Sequence, residues 1–213
     1  MSNSTLLIMI ASGWIGYFLL HSLLASQRVK SHFSGRRCYR LSYNLISLIT
    51  LLPIAGLHTL YRGEMVILWQ EPWLWLARFI SLAAVVCFLW TLRYYDLGEF
   101  SGWHQCRDGK TTTTGGQMVI SPPHRYVRHP WYSCALVLIW CRDMDMAQLT
   151  STILISAYLV IGSRLEERRL VIEYGESYRE YLRSVPGLIP LPWRRLSQEK
   201  VQQLMNPQHP EQR

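Results

Sequence analysis

From Thr5 to Leu24 the chain runs twenty residues without a charge, with one histidine, His21, near its end. That length matches what an α-helix needs to cross the ~30 Å hydrocarbon core of a bilayer. A secretory signal would carry basic residues ahead of a shorter apolar core, whereas Met1–Ser4 hold none. The run is therefore expected to stay in the mature protein as a spanning helix.

Further apolar segments follow the same logic. A second helix is predicted from about Leu41 to Leu60, with Pro53 inside it, and a third from about Trp73 to Tyr95. Proline within a membrane helix kinks it, and neighbouring helices can satisfy the carbonyl it frees. Arg78, near the outer end of the third helix, can reach the interface on its long stem. Trp69, Trp73 and Trp75 stand where a headgroup-level aromatic belt belongs. The next runs are shorter: Trp131–Trp140 and Ala147–Gly162 flank the polar turn "CRDMDM". Ten helical residues rise only about 15 Å, so these two arms predict a helical hairpin whose first arm starts within the headgroup zone or crosses a thinned region. Beyond it, "VIEYGESYREYLRSV" reads as a continuing cytoplasmic helix with Tyr174, Tyr178 and Tyr181 on one face. The fold class expected is an all-α integral membrane protein of about five transmembrane helices, including a C-terminal helical hairpin, plus a cytoplasmic helix.

Hydrophobic residues make up 49% of the chain and charged residues 17%, yet the formal charge is +8. Its placement argues against nucleic acid as a partner. Arg28, Lys30, Arg36, Arg37 and Arg40 follow the first helix; Arg107, Lys110, Arg125 and Arg128 follow the third; Arg164, Arg168, Arg169, Arg179, Arg183, Arg194, Arg195 and Lys200 follow the last. The alternate connections pair their few arginines with acids. This positive-inside asymmetry predicts an outside amino terminus and a cytoplasmic carboxyl terminus. Cys38, Cys87, Cys106, Cys134 and Cys141 form no CxxC pair and no zinc spacing with histidine, so no metal site is expected. Cys87, Cys134 and Cys141 read as small apolar packers.

The long cytoplasmic connection from Asp96 to His129 contains "GKTTTTGG", which lacks the GxxxxGK[ST] order of a phosphate loop and reads as a hairpin-like excursion. It ends in "HRYVRHPWYSC", residues 124–134. Pro130 suits the first position of a helix and pushes His129 out of helical conformation, leaving Arg128 and His129 beside the N–H groups that open the helix. Such a terminus attracts anions, and a neighbouring arginine offers a carboxylate two parallel hydrogen bonds. Across the hairpin stand Glu166 and Glu167. Arginine, histidine, Tyr132 and paired glutamates thus converge on one interfacial pocket able to meet a carboxylate, an ammonium group and sugar hydroxyls. Taken singly, each could instead be a topology signal, a salt-bridge partner or an interface anchor.

"RHPWY" with "EE" about thirty-five positions later, continued through "LVIEYGESYREYLRSVPGLIP", resembles the signature of the isoprenylcysteine carboxyl methyltransferase and phospholipid methyltransferase superfamily. The upstream pieces "LLHSLLASQRVK", "YRLSYNLISLITLLP" and "DLGEFSGWHQ" resemble its bacterial branch of NnrU-like proteins and methanethiol S-methyltransferases. The resemblance implies S-adenosylmethionine bound by Arg128, His129, Tyr132, Glu166 and Glu167, with Tyr178, Pro186 and Leu188 as further contacts. It implies one membrane methyltransferase-like domain over residues 1–190, followed by a polar, weakly ordered cytoplasmic tail at 191–213, in a bacterial inner membrane. Members often carry S-G-x-Y-R/K before the first motif and glycine two residues past its tyrosine; this chain has "SPPHRY" and Cys134.

Methyl transfer from a sulfonium is an in-line displacement that needs alignment and desolvation more than an acid. Glu167 is the catalytic candidate, as proton acceptor or positioner, and Asp96 and Gln105 are candidate substrate contacts. The acceptor expected is a small or hydrophobic thiol, or a lipid-linked group, entering from the membrane. Two other readings stand beside this one: a non-catalytic NnrU-like accessory protein, and a sterol-reductase-like NADPH oxidoreductase, whose members are usually longer.

Overall fold

The computed structural model describes residues 1–33, 36–109, 118–191 and 193–205. The "TTTTGG" portion of the connection and the last eight residues lie outside them. The protein is an all-α integral membrane protein. Among the described residues, four helices are long and apolar enough to cross a bilayer: α1 (Asn3–Ala25), α3 (Tyr39–Leu60), α4 (Trp73–Leu92) and α8 (Met146–Tyr174). The short α2 (Gln27–His32) follows α1, and α5 (Leu97–Ser101) and α6 (Trp103–Asp108) follow α4. A 3-10 turn (Pro122–Arg125) leads to α7 (Pro130–Trp140), and α9 (Glu176–Ser184) and α10 (Gln198–Met205) close the described chain. The fifth apolar element, α7, has eleven residues and rises about 16 Å, roughly half the hydrocarbon thickness. By contrast α8, at 29 residues, rises about 44 Å and exceeds it, so one uninterrupted helix carries both the membrane arm and the segment bearing Glu166 and Glu167.

The chain forms two compact units, the first from Met1–Arg78, Tyr95–Thr112 and Trp140–Tyr158, the second from Phe79–Tyr94, Thr113–Ile139 and Leu159–Arg213. In the first unit α1 begins at Ser2, whose hydroxyl accepts the Thr5 N–H at 3.2 Å, and ends at Ser26, which caps α2 in turn. Helices α1 and α3 pack closely because Gly13 presents no side chain: a Cβ there would stand 3.2 Å from Ile54 Cγ1. Gly13→Val is expected to force the helices apart and destabilise the fold by about 1–3 kcal/mol, read as a lowered midpoint of thermal unfolding in detergent. Leu6, Ile10, Tyr61 and Ala147 form the buried cluster here. Two short strands, β1 (Met65–Ile67) and β2 (Met144–Asp145), pair antiparallel within this unit. A disulfide joins Cys38 to Cys106, and Asn44 Nδ2 donates to the Ser101 carbonyl at 2.9 Å, so the α5–α6 segment is fastened to the start of α3. Arg78 lies over the Trp75 ring, 5.2 Å from its centre.

The second unit has its core in Met118, Ile120, Tyr178, Tyr181, Val185, Leu196 and Leu204. The cytoplasmic helix expected from Val171 to Val185 is divided. It breaks at Gly175, whose φ of 61° lies in the left-handed region that glycine takes without steric cost, and α9 starts one residue later. The tyrosines keep their neighbourhood across the break, Tyr174 to Tyr178 at 6.5 Å and Tyr178 to Tyr181 at 5.5 Å between ring centres. Helix α10 packs on α9 through Leu204. Of the free cysteines, Cys134 is buried, Cys141 is half-buried and Cys87 is exposed.

Candidate functional site

Pro130 opens α7, and the residues before it cannot join the helix. Their N–H groups find partners in a second segment: the Arg128 N–H donates to the Pro186 carbonyl at 2.9 Å and the His129 N–H to the Gly187 carbonyl at 3.0 Å. One turn into α7, the Ser133 hydroxyl donates to the Leu188 carbonyl at 2.5 Å. Three successive carbonyls of "PGL" are thereby fastened to the entrance of the helix. Pro186 and Leu188 act here through their backbones, which carry no residue-specific signal.

The side chains complete the arrangement. Glu167 Oε1 accepts the Arg128 Nε–H at 2.8 Å, forms an ion pair with Nη2 at 2.8 Å, and lies 3.0 Å from His129 Nε2. Arg128 Nη1 donates to the carbonyls of Leu182 and Val185. Three of the five guanidinium N–H groups are thus hydrogen-bonded, and Nη2 stands beside the Glu167 charge. The Arg128 and Glu167 side chains are only 12% and 15% exposed, a setting in which an ion pair persists when its remaining hydrogen bonds are satisfied. His129 stacks on Tyr132 with ring centres 5.3 Å apart and planes 9° from parallel. Glu166 Oε2 lies 3.7 Å from His129 Nδ1, and its side chain is 42% exposed. Gly187 borders this cluster, since a Cβ there would stand 3.1 Å from Arg128 Nη2 and 3.7 Å from Glu167 Oε1.

The expected residues Arg128, His129, Tyr132, Glu166, Glu167, Pro186 and Leu188 therefore lie together. Tyr178 is 4% exposed within the core, and its phenol is pushed up by burial and then by the nearby Glu167 charge. Asp96 and Gln105 belong to the other unit. Asp96 caps α5, accepting the Glu99 N–H at 2.9 Å, and Gln105 lies within α6, its carbonyl accepting the N–H of the capping Gly109. Gly187, Ser133 and Thr91 escaped the sequence reading, and Arg125 was read only as part of the positive-inside charge. Thr91 is fully buried and accepts the Trp131 indole N–H at 2.8 Å; Arg125 donates to the Leu196 carbonyl at 2.9 and 3.1 Å. The Pro-Gly pair after a helix was the available signal for Gly187.

The departures from the usual motif are accommodated. Pro122 and Pro123 set the 3-10 turn, Ser121 Oγ meets His124 Nδ1 at 2.6 Å, and the Tyr181 hydroxyl donates to the His124 carbonyl at 2.7 Å. Burial, and then the His129 charge, push the His124 imidazole down to about 4. A histidine with a depressed folded-state pKa is bound more tightly to protons by the unfolded chain, so its contribution is complete above about 6.5 and is lost as the pH falls toward 4. Detergent-solubilised protein is expected to lose about 3 kcal/mol of stability over that window. His124→Phe should flatten this part of the curve of unfolding midpoint against pH.

A statistical model of the NnrU protein family matches residues 7–170. Methanethiol S-methyltransferase 1 of Bradyrhizobium diazoefficiens is 29% identical over 186 residues, covering 82% of this chain and 63% of its own. A methanethiol S-methyltransferase of Mycobacterium tuberculosis is 28% identical over 192 residues, 84% of this chain and 77% of its own. One from a Pseudomonas species is 40% identical over 68 residues, 32% of this chain and 26% of its own. The chain thus spans under two thirds of the length of several relatives it matches. No solved structure matches it. The family match covers most of the chain, from within α1 to beyond the paired glutamates of α8, and the chain belongs to the NnrU protein family.

Proposed function

We propose that this protein is an integral membrane methyltransferase that uses S-adenosylmethionine to methylate a small or hydrophobic thiol entering from the bilayer. The observation that carries this reading is the Arg128–Glu167–His129 cluster beside a residue that has no side chain. The space a Cβ would fill at Gly187 lies against Arg128 Nη2, whose N–H groups suit a carboxylate. Glu166, half-exposed beside His129, suits an ammonium group or sugar hydroxyls, and the Tyr132 ring and buried Tyr178 supply apolar surface. These residues fit the donor's groups. When bound, S-adenosylmethionine supplies an activated methyl group on a sulfonium centre.

In this reading Arg128, Glu166 and Glu167 bind and orient, and His129 is held in place by Glu167 on one side and Tyr132 on the other. Glu167 is the proton acceptor or positioner, a role that matters least for a thiol already ionised. Asp96 and Gln105 are the proposed contacts to the acceptor. The distribution of arginine and lysine supports an outside amino terminus and a cytoplasmic carboxyl terminus in a bacterial inner membrane. Relatives named for methanethiol support a thiol acceptor.

The test is methyl transfer by the full chain in lipid nanodiscs, with methanethiol, longer alkyl thiols, a phospholipid amine and a prenylated cysteine offered in parallel. Turnover with a thiol is expected. Binding of neither the donor nor its homocysteine product in calorimetry, with no turnover of any acceptor, would favour the non-catalytic role that the accessory-protein reading gives the family.

A further inference from the structure

We infer that Ile189, Trp193 and Arg195 form an interfacial anchor that docks on the anionic headgroups of the leaflet α7 enters. The backbone at Leu188 is held to the first turn of α7 by Ser133, and the chain is held again at Leu196, whose N–H donates to the Arg125 carbonyl at 3.1 Å and whose carbonyl accepts the Arg125 guanidinium. Leu196 is 3% exposed, whereas Ile189 and Trp193 between these two tethers are 73% and 77% exposed. Fixing both ends while leaving the large apolar side chains outside is a costly arrangement in water. It is the ordinary arrangement at a lipid boundary, where tryptophan and aliphatic groups partition among the headgroups.

The level of the segment follows from α7. At eleven residues that apolar helix covers about half the hydrocarbon thickness, so entering one leaflet as far as the midplane puts its first turn at headgroup level. Ile189 is one residue from the backbone bonded to that turn. The charge is complementary as well. Arg194 and Arg195 follow Trp193 and both are exposed, with the Arg194 guanidinium bonded to the Arg183 carbonyl. A basic residue at an anionic surface favours association about fivefold.

The test replaces Trp193 with a fluorescent non-canonical amino acid in the full chain, reconstituted in nanodiscs of phosphatidylcholine alone or with phosphatidylglycerol. Lipids carrying a nitroxide near the headgroup should quench the probe, and iodide in the water should not. Adding phosphatidylglycerol should deepen the quenching, and Arg195→Glu should reverse that gain by about fivefold or more in the docked-to-free ratio. Because Trp193 and Arg195 are exposed, neither change threatens folding, and an unchanged thermal midpoint verifies this. A probe reached by iodide and untouched by nitroxide lipids overturns the inference, as does quenching indifferent to phosphatidylglycerol and to Arg195→Glu. The readout needs no methyl transfer, so it stands or falls independently of the proposed activity.

Discussion

Glu167→Ala is expected to lower kcat/KM for methyl transfer about a thousandfold, with Glu167→Gln only partly better. A single carboxylate oxygen of Glu167 receives one guanidinium N–H and one imidazole N–H, beside the Nη2 ion pair. Hydrogen bonds to charged groups contribute about 1.5–3 kcal/mol each, so loss of two such contacts amounts to roughly 4 kcal/mol, or about three decades in rate at 1.36 kcal/mol per decade. Glutamine keeps the shape and one acceptor oxygen but turns its NH2 toward a cation if the amide flips, so it retains the geometry without the charge. The split between parameters separates two roles. A rise in donor KM at constant kcat identifies Glu167 as a binding group, whereas a fall in kcat at unchanged donor affinity identifies it as a group acting in the transition state. Steady-state kinetics in nanodiscs with a thiol acceptor, beside donor titration by calorimetry, makes the distinction.

Much of this site was legible because its chemistry is written in unusual residues at unusual places. Charged groups beside an apolar run are rare enough that Arg128, His129, Glu166 and Glu167 attract notice, and Pro130 fixes where the helix must start. The long helices were legible for the same reason that membranes are simple solvents: length and apolarity alone set α1, α3, α4 and the first part of α8. What escaped detection rests on groups that every residue possesses. Arg128 is anchored by the carbonyls of Leu182 and Val185, and the motif is zipped to Pro186, Gly187 and Leu188 through backbone atoms, for which no residue type is diagnostic. The break at Gly175 was hidden because tyrosines spaced at three and four residues look continuous across it. The Cys38–Cys106 bridge spans 68 residues and leaves no local pattern.

Arg128→Ala should then destabilise the fold by about 3–5 kcal/mol, more than Glu167→Ala does, although both remove the same ion pair. The asymmetry comes from what each side chain leaves behind. Without the guanidinium, Glu167 keeps a largely buried carboxylate with only His129 to meet it, and the carbonyls of Leu182 and Val185 lose their donor at the end of α9. Without Glu167, Arg128 still has those two carbonyls. Arg128→Lys should recover only part of the loss, since an ammonium group on a flexible stem cannot reach the carboxylate and both carbonyls with a planar fork. In a double-mutant cycle, Arg128→Ala with Glu167→Ala should be less damaging than the two changes summed, by roughly 0.5–3 kcal/mol, because the second change removes the stranded charge created by the first. Thermal or denaturant unfolding in one detergent supplies all four corners of the cycle. Strict additivity would mean the pair does not couple, and the cluster would then have to be held by the bonds that Arg128 N–H, His129 N–H and the Ser133 hydroxyl make to the Pro186–Leu188 carbonyls.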